Sequence, residues 1–514
     1  MPSERRLHPW SLAFTIGARL RELALPFLAL IVTAGSRGWG WEAWLPWLIV
    51  PSALFAVARY VSFRYRYEAD ELVIRTGIVF RNERHVPYAR IQSVDAVQSL
   101  LHRWLHVVDV RIQTAGGQEP EATLRVLSTP DYEEMRGRVA DMRRRAGAGR
   151  SVPEAREDTP SAPIAAAGRT VLALPSRELL LAGFIENRGM VLIAAGIGML
   201  WEFGLVERVS EWLFGEAVAA RGAARDLVRD AVRGAIGEGG FPAGRVGLAV
   251  LVIAGALVAI RLVSMAWAAV RLHGFRLTRT GDDLRSEFGL LTRISTTIPL
   301  HRVQTITVYE GLLHRLAGRA AVRVETAGGE TGDVGTTGRE WLAPIVTRDA
   351  LPKLLSEVLP GVDVSTAAWH GPHPRAFRRL LRKQLVAVAI VSAAVAPATG
   401  WWALAVASTM GAWTAIASRR RLAYQGWAMV GDTLVFRSGW VSRHLTMARV
   451  AKAQVVGLHE SPFDRRTGMA RVRVDTAGAS HQSHRIDIPY LPREAAHTLH
   501  DRLAEAAAST AFRW

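Results

Sequence analysis

The sequence predicts a polytopic α-helical membrane protein carrying three small β-barrel or β-sandwich domains, each closed by a C-terminal helix. Three observations predict it. Apolar residues make up 49% of the 514-residue chain and gather in paired, nearly uncharged runs. One stretch of alternating character occurs three times without gaps. The net charge of +18 clusters beside the apolar runs rather than along them.

Six apolar runs fall into three pairs: 20–33 with 41–61, 189–205 with 246–270, and 385–397 with 401–417. Several approach the ~20 residues that a helix needs to cross ~30 Å of hydrocarbon. The third pair is short, joined only by 398–400, and reads as a tight or re-entrant hairpin. The second run of each pair ends in cations: Arg59, Arg64 and Arg66, then Arg271 and Arg276, then Arg419, Arg420 and Arg421. Cations also precede the first and third pairs, at Arg19 and Arg21 and at Arg378, Arg379, Arg382 and Lys383. By the positive-inside rule these flanks lie on the cytoplasmic side of an inner membrane. The segment 207–245 carries six acids and six arginines, so it is neutral and suits the opposite side. Trp39, Trp41, Trp44, Trp47, Trp401 and Trp402 read as interfacial anchors of the outer turns. Arg261 falls within its apolar run, either as a buried functional cation or as a side chain snorkelling to the interface.

The window 70–116 maps onto 282–328 at a spacing of 212, and onto 432–478 at a further 150. Asp70, Leu72, Gly77, Arg81, Gln92, Arg103, Val110, Arg111 and Thr114 recur in all three copies, and Arg90 and Arg302 become Lys452. Copies one and two also share Pro87 with Pro299 and His102 with His314. Leu72-Val-Ile-Arg-Thr-Gly-Ile-Val-Phe reads as two strands about a glycine turn. Val110-Arg-Ile-Gln-Thr, Val322-Arg-Val-Glu-Thr and Val472-Arg-Val-Asp-Thr alternate as half-buried strands do. A helix follows each copy, over 132–145, 348–359 and 493–508. The expected organisation is a hairpin in 1–62, a domain in 63–145, a linker in 146–172, a second hairpin in 173–272 with its insert, a domain in 273–362, a third hairpin in 363–418 and a domain in 419–510.

The strings Val86-Pro-Tyr-Ala-Arg-Ile-Gln-Ser-Val, Ile298-Pro-Leu-His-Arg-Val-Gln-Thr-Ile and Val110-Arg-Ile-Gln-Thr-Ala-Gly-Gly resemble the bacterial pleckstrin-homology (PH)-like domain. The opening Arg6-Leu-His-Pro-Trp-Ser is similar to the start of membrane proteins in that family, and the triplicate layout resembles its YdbT-like branch. Copy three departs, with Arg449 in place of proline and Pro462-Phe463-Asp464 in place of Leu-Leu-His. The resemblance implies three PH-like domains and a role in envelope stress or in resistance to membrane-active peptides.

The candidate partner- or lipid-binding residues are the repeated polar ones: Arg90, Gln92 and Arg103; Arg302, Gln304 and Arg315; Lys452, Gln454 and Arg465. Each Arg/Gln or Lys/Gln pair shares a strand face by period two. The face would receive an anionic headgroup or a peptide, or else the pair satisfies backbone groups of a turn. Arg103, Arg315 and Arg465 follow an apolar step, as a phosphate contact or as solvated turn residues. No cysteine is present, which excludes disulfides and thiolate chemistry. Glu494, His497 and His500, His370 and His373, and His481 and His484 form no full ligand set. No phosphate loop, nucleophile elbow or paired-carboxylate arrangement is present, so no catalytic, cofactor or metal site is expected, and no nucleic-acid partner. The expected role is a non-enzymatic scaffold whose partners are the bilayer and other proteins or copies of itself. Anionic-lipid recognition or handling is the alternative, and transport ranks below both.

Overall fold

The computed structural model describes residues 5–17, 60–114, 122–148, 168–186, 243–327, 341–476 and 486–509, apart from 69, 78–81 and 89–90, together with isolated positions between 54 and 58. In copy one, strands β1 (Arg5–Arg6), β2 (Arg64–Tyr67), β3 (Glu71–Thr76) and β4 (Asn82–Pro87) form an antiparallel sheet in that order. Strands β5 (Ile91–Ser99), β6 (Val107–Thr114) and β7 (Ala122–Ser128) form a second layer. Helix α1 (Leu100–Trp104) links β5 to β6, and α2 (Thr129–Ala148) follows β7. Tyr65, Leu72, Val86, Ile91, Val110 and Met135 meet in the core between these elements.

Unit 2 comprises 173–275 and 288–290. Within it, α3 (Ser176–Ile185) packs on α4 (Ala243–Arg271). Gly183 permits the contact, because a Cβ there would stand 2.6 Å from the Ser264 carbonyl oxygen. Arg261 donates to the Phe184 carbonyl at 2.7 Å and lies over the Phe184 ring, so this cation closes the end of α3.

Copies two and three repeat the copy-one plan. Copy two has β8 (Arg169–Ala173), β9 (Arg276–Thr280), β10 (Asp283–Phe288), β11 (Thr292–Pro299), β12 (Val303–Glu310), β13 (Arg319–Thr326) and β14 (Trp341–Thr347), with helices α5 (Leu312–Leu316) and α6 (Leu351–Val358). Copy three is preceded by α7 (Ala376–Thr399) and α8 (Trp402–Tyr424). It contains β15 (Gly426–Val430), β16 (Thr433–Gly439), β17 (Arg443–Arg449), β18 (Ala453–His459), β19 (Met469–Thr476) and β20 (Ile486–Pro492), with α9 (Pro462–Thr467) and α10 (Arg493–Ser509). Leu499 and Leu503 of α10 are buried against Leu434, Val472 and Ile488. Each such leucine stabilises the closed domain by ~1.5–3 kcal/mol relative to exposure. The repeated glycine of the first β turn adopts φ of 106°, 115° and 99° at Gly77, Gly289 and Gly439. Only glycine enters that region without strain, which explains its recurrence.

In copies one and three, a strap that precedes the first helix ties the two layers together. Arg5 pairs with Tyr65 of β2, and the His8 amide donates to the Val126 carbonyl in β7 at 3.2 Å. At the same repeat positions His370 pairs with Trp427 of β15, and the His373 amide donates to Tyr490 of β20 at 2.7 Å. Val126 and Tyr490 both adopt φ of 64°, a left-handed conformation that costs a non-glycine residue of order 1–3 kcal/mol.

The structure corrects the expectation of a polytopic α-helical membrane protein. The described residues are mostly sheet domains, and among them one helical segment, Ala254–Arg271, is long and apolar enough to cross a membrane. Helix α7 contains the run 385–397 and α8 contains 402–417, but neither qualifies. The first turns of α7 carry Arg378, Arg379, Arg382 and Lys383, and its remainder is rich in alanine. In α8 the alanines alternate with Ser408, Thr409, Thr414 and Ser418 before three arginines. The runs 20–33 and 189–205, and most of 41–61, lie outside the described residues.

The base of α7 is fastened to copy three through α9. Ser461 and Asp464 form a reciprocal cap at the N-terminus of α9, and Arg379 reaches Asp464 at 3.1 Å and Ser461 at 3.2 Å. Burial alone would raise the Asp464 pKa, but the Ser461 and Arg379 bonds outweigh it and hold the carboxyl below its ordinary value. A depressed carboxylate stabilises the fold above its unfolded pKa, and that contribution is lost as pH falls through the folded value. Asp464→Ala is therefore expected to lower the stability of copy three by about 1–2 kcal/mol at neutral pH, with the difference shrinking below about pH 4. Urea unfolding followed by tryptophan fluorescence at the two pH values checks this.

Candidate functional site

The sheets do not stop at the copy boundaries. Strand β5 of copy one pairs antiparallel with β11 of copy two, giving one seven-stranded sheet. Strand β12 of copy two pairs with β17 of copy three, giving a six-stranded sheet. The register is the same at both junctions: Ala96↔Ser295 and Val97↔Ile294 occupy the repeat positions of Val308↔Leu445 and Tyr309↔His444. Both pairings leave the backbone groups of two edges satisfied and link three copies through main-chain bonds.

Threonines and polar contacts furnish the second junction. Gln304, Thr305 and Thr307 are buried there, Thr305 to 2% exposure. Thr307 and Thr446 stand 3.4 Å apart across the pair, and the Tyr309 hydroxyl donates to Ser442 at 3.3 Å. At the first junction the Thr297 amide meets the Asp95 carboxylate at 3.5 Å.

Of the repeated polar residues, Gln304, Arg315 and Lys452 lie at the second joint. Each glutamine, Gln92, Gln304 and Gln454, falls where the strand register shifts. Such a bulge leaves one residue unmatched in the ladder, and Gln304 answers by donating to the Arg302 carbonyl at 3.2 Å. Arg302 bonds the Ala327 carbonyl, while the Ala327 amide returns to the Arg302 carbonyl at 3.1 Å. Lys452 crosses between copies to the His301 carbonyl at 2.7 Å. Its pKa lies below the ordinary lysine value, first through burial and then through Arg449. Arg315 also crosses, donating to the Val441 carbonyl at 3.2 Å. Gln454 and Arg465 are exposed, and Arg103 is half-buried on α1. Arg90 and the side chain of Gln92 lie outside the described residues.

Sequence reasoning missed two features beside these cations. The strands β11 and β17 form the joints with β5 and β12, and their sequences share no mark of it: β11 carries Thr296 and Thr297, whereas β17 has the single threonine Thr446. The short helix of each copy also exposes an apolar side chain: Trp104 at 77%, Leu316 at 77% and Phe463 at 60%. Each lies within two residues of Arg103, Arg315 or Arg465.

The histidines do not gather. Among the described residues no three His, Asp or Glu side chains are placed to hold a metal ion. His497 approaches Glu460, His500 meets Asp501 at 3.0 Å, His370 stacks on Trp427, and the His373 ring accepts from the Arg375 amide. His481 and His484 lie outside the described residues. His102 bonds Ser99 at 2.6 Å, and His314 is buried edge-on to Tyr309.

Two facing β-layers capped by one C-terminal helix, triplicated and each preceded by helices, define the PH-like class. The chain belongs to the bacterial PH domain family, matched at residues 11–143, 236–367 and 377–507. It is similar to the UPF0699 transmembrane protein YdbT of Bacillus subtilis (strain 168), at 24% identity over 498 residues that cover 94% of each chain. No solved structure matches it.

Burial lowers the pKa of both His102 and His314, in the latter case against the opposing pull of Glu310. A histidine with a depressed folded pKa leaves the unfolded chain binding more protons between that value and about 6.5. Stability is thus expected to be full above about pH 6.5 and to fall as pH drops through this window. His314→Phe should flatten part of the decline in urea midpoints between neutral and mildly acid pH.

Proposed function

We propose that the chain is a non-enzymatic, membrane-associated scaffold whose three PH-like copies bind protein partners as a single body on the cytoplasmic side. The observation that carries this reading is the pair of junction sheets in one shared register. Three copies joined by main-chain ladders offer a composite surface that three tethered domains would not. Repeated cations that close turns and bridge copies through backbone carbonyls also support the structural role over a headgroup pocket.

Membrane association is supported by α4, which exposes Leu251, Leu257, Val258, Leu262 and Trp267 along its length. A core helix of a soluble domain would cover such a face. Arg271 and Arg276 at its end favour a cytoplasmic location for copy two. The similar protein of B. subtilis is itself named a transmembrane protein. The full chain is expected to stay with membranes after alkaline carbonate extraction. A photo-reactive residue at Arg293, exposed on the first junction, is expected to give discrete protein adducts in cells. Ser295→Pro, which removes a ladder position of β11, should abolish them. Adducts to phospholipid alone would replace protein binding with lipid recognition.

That second reading has its own supporting observation, the exposed Trp104, Leu316 and Phe463 beside repeated arginines. Apolar tips flanked by cations suit a headgroup layer. The cysteine-free chain makes the test direct. A fluorophore on Trp104→Cys is quenched by spin-labelled lipid if the tip enters the bilayer, and stays unquenched if the tip is reserved for protein.

A further inference from the structure

Among the described residues, two strands of this triplicate stand at a sheet edge where their counterparts pair with a further strand. At each junction, the first strand of a copy's second layer pairs with the last strand of the next copy's first layer. The donors so used are β5 and β12, and the acceptors are β11 and β17. The remaining donor is β18 of copy three, and the remaining acceptor is β4 of copy one. Among the described residues both stand at the edge of their sheets.

The two edges expose what their counterparts cover. Thr305 is 2% exposed at the second junction, whereas Val455, at the same repeat position in β18, is 61% exposed. Gln304 is buried, and Gln454 is exposed. On the acceptor side Thr446 and Met447 are buried, whereas Arg84 and His85 at the same positions of β4 are exposed. Strand β18 carries no acidic residue and no lysine, arginine or proline between Ala453 and His459. It lacks the guards by which exposed edges ordinarily avoid pairing. Strand β4 does carry charge, in Glu83 and Arg84, but β11 and β17 carry Arg293 and Arg443 and pair nonetheless.

We propose that the chain associates head to tail with further copies of itself, β18 of one molecule adding to β4 of the next. The occupant follows from continuity: the missing partner of each edge is the other edge, in the pairing the chain already makes twice. Carrying the common register forward sets Leu458 opposite Glu83, His459 opposite Asn82 and Val455 opposite Val86 of the neighbour. The contact is heterologous, so it builds an open row or a closed ring rather than a two-fold dimer. It goes beyond the scaffold reading and holds whichever partner the scaffold binds.

Because the chain has no cysteine, thiol cross-linking reads the register directly. The full-length chain in its native membrane is prepared with Leu458→Cys and Glu83→Cys together, then exposed to a thiol oxidant. Opposed residues share a face and bring Cβ atoms within ~5.5 Å, close enough to bridge, whereas a one-residue slip turns one side chain away. A ladder of dimer, trimer and higher species is expected. Mixing the two single variants should give a dimer and nothing larger, and pairing Leu458→Cys with Arg84→Cys should lose the ladder. Val455→Lys, at an exposed position, should also lose the ladder and shift the uncross-linked protein to the monomer in sedimentation. Retention of the protease-resistant core shows that each variant is folded. The proposal is overturned by a folded chain without a ladder, or by equal bridging in the slipped pair. It is also overturned by dimers of Leu458→Cys alone, by a bond closed within one chain, or by a ladder that survives Val455→Lys.

Discussion

Antiparallel pairing of strand edges between consecutive copies is the constraint on which the described structure depends. A small PH-like copy has two sheets and therefore open edges, each a row of unpaired amides and carbonyls. This chain covers four of those edges by offering each copy's second layer to the next copy's first, at β5–β11 and β12–β17. Main-chain bonds are indifferent to side-chain identity. The pairing therefore survives the divergence of copy three, where Arg449 and the Pro462-Phe463-Asp464 turn replace the residues of the other copies.

The repeated polar residues take their meaning from that arrangement. A glutamine at a bulge, an arginine returning to its own turn and a lysine crossing to His301 all donate to backbone carbonyls beside the strand junctions. Residues such as Gln304 recur because every copy has the same backbone irregularity. Exposed tips do not recur by position: Trp104 and Leu316 correspond, copy three has Arg466 there, and Phe463 lies three residues earlier.

The threefold repeat was legible from the sequence. Gap-free spacing of the copies located three equivalent units, alternation in Val322-Arg-Val-Glu-Thr marked half-buried strands, and the resemblance named the family that the comparison then showed. Sharing of sheets between copies was not legible, because hydrophobic period reports which face of a strand is buried and says nothing about its hydrogen-bonding edge. Val455 and Thr305 illustrate this: one is open and the other covered, and neither neighbouring sequence differs in period. The apolar runs misled for another reason. Alanine counts as apolar in a pattern, yet a helix such as α7 is too weakly hydrophobic, and too charged in its first turns, to match Ala254–Arg271.

The strap that joins His8 to Val126, and His373 to Tyr490, has a consequence for the order in which the protein is made. Its two ends lie before the first helix and in the last strand of a copy, separated by nearly the whole double layer. Contacts of such long sequence separation form late, because their loop entropy must be overcome by everything between them. A copy emerging from the ribosome thus cannot take its final closed form until its last strand has been synthesised. By then the helical segment that follows its strap has already left the ribosome. In copies one and three, closure of the double layer in this way waits on the last strand, β7 or β20.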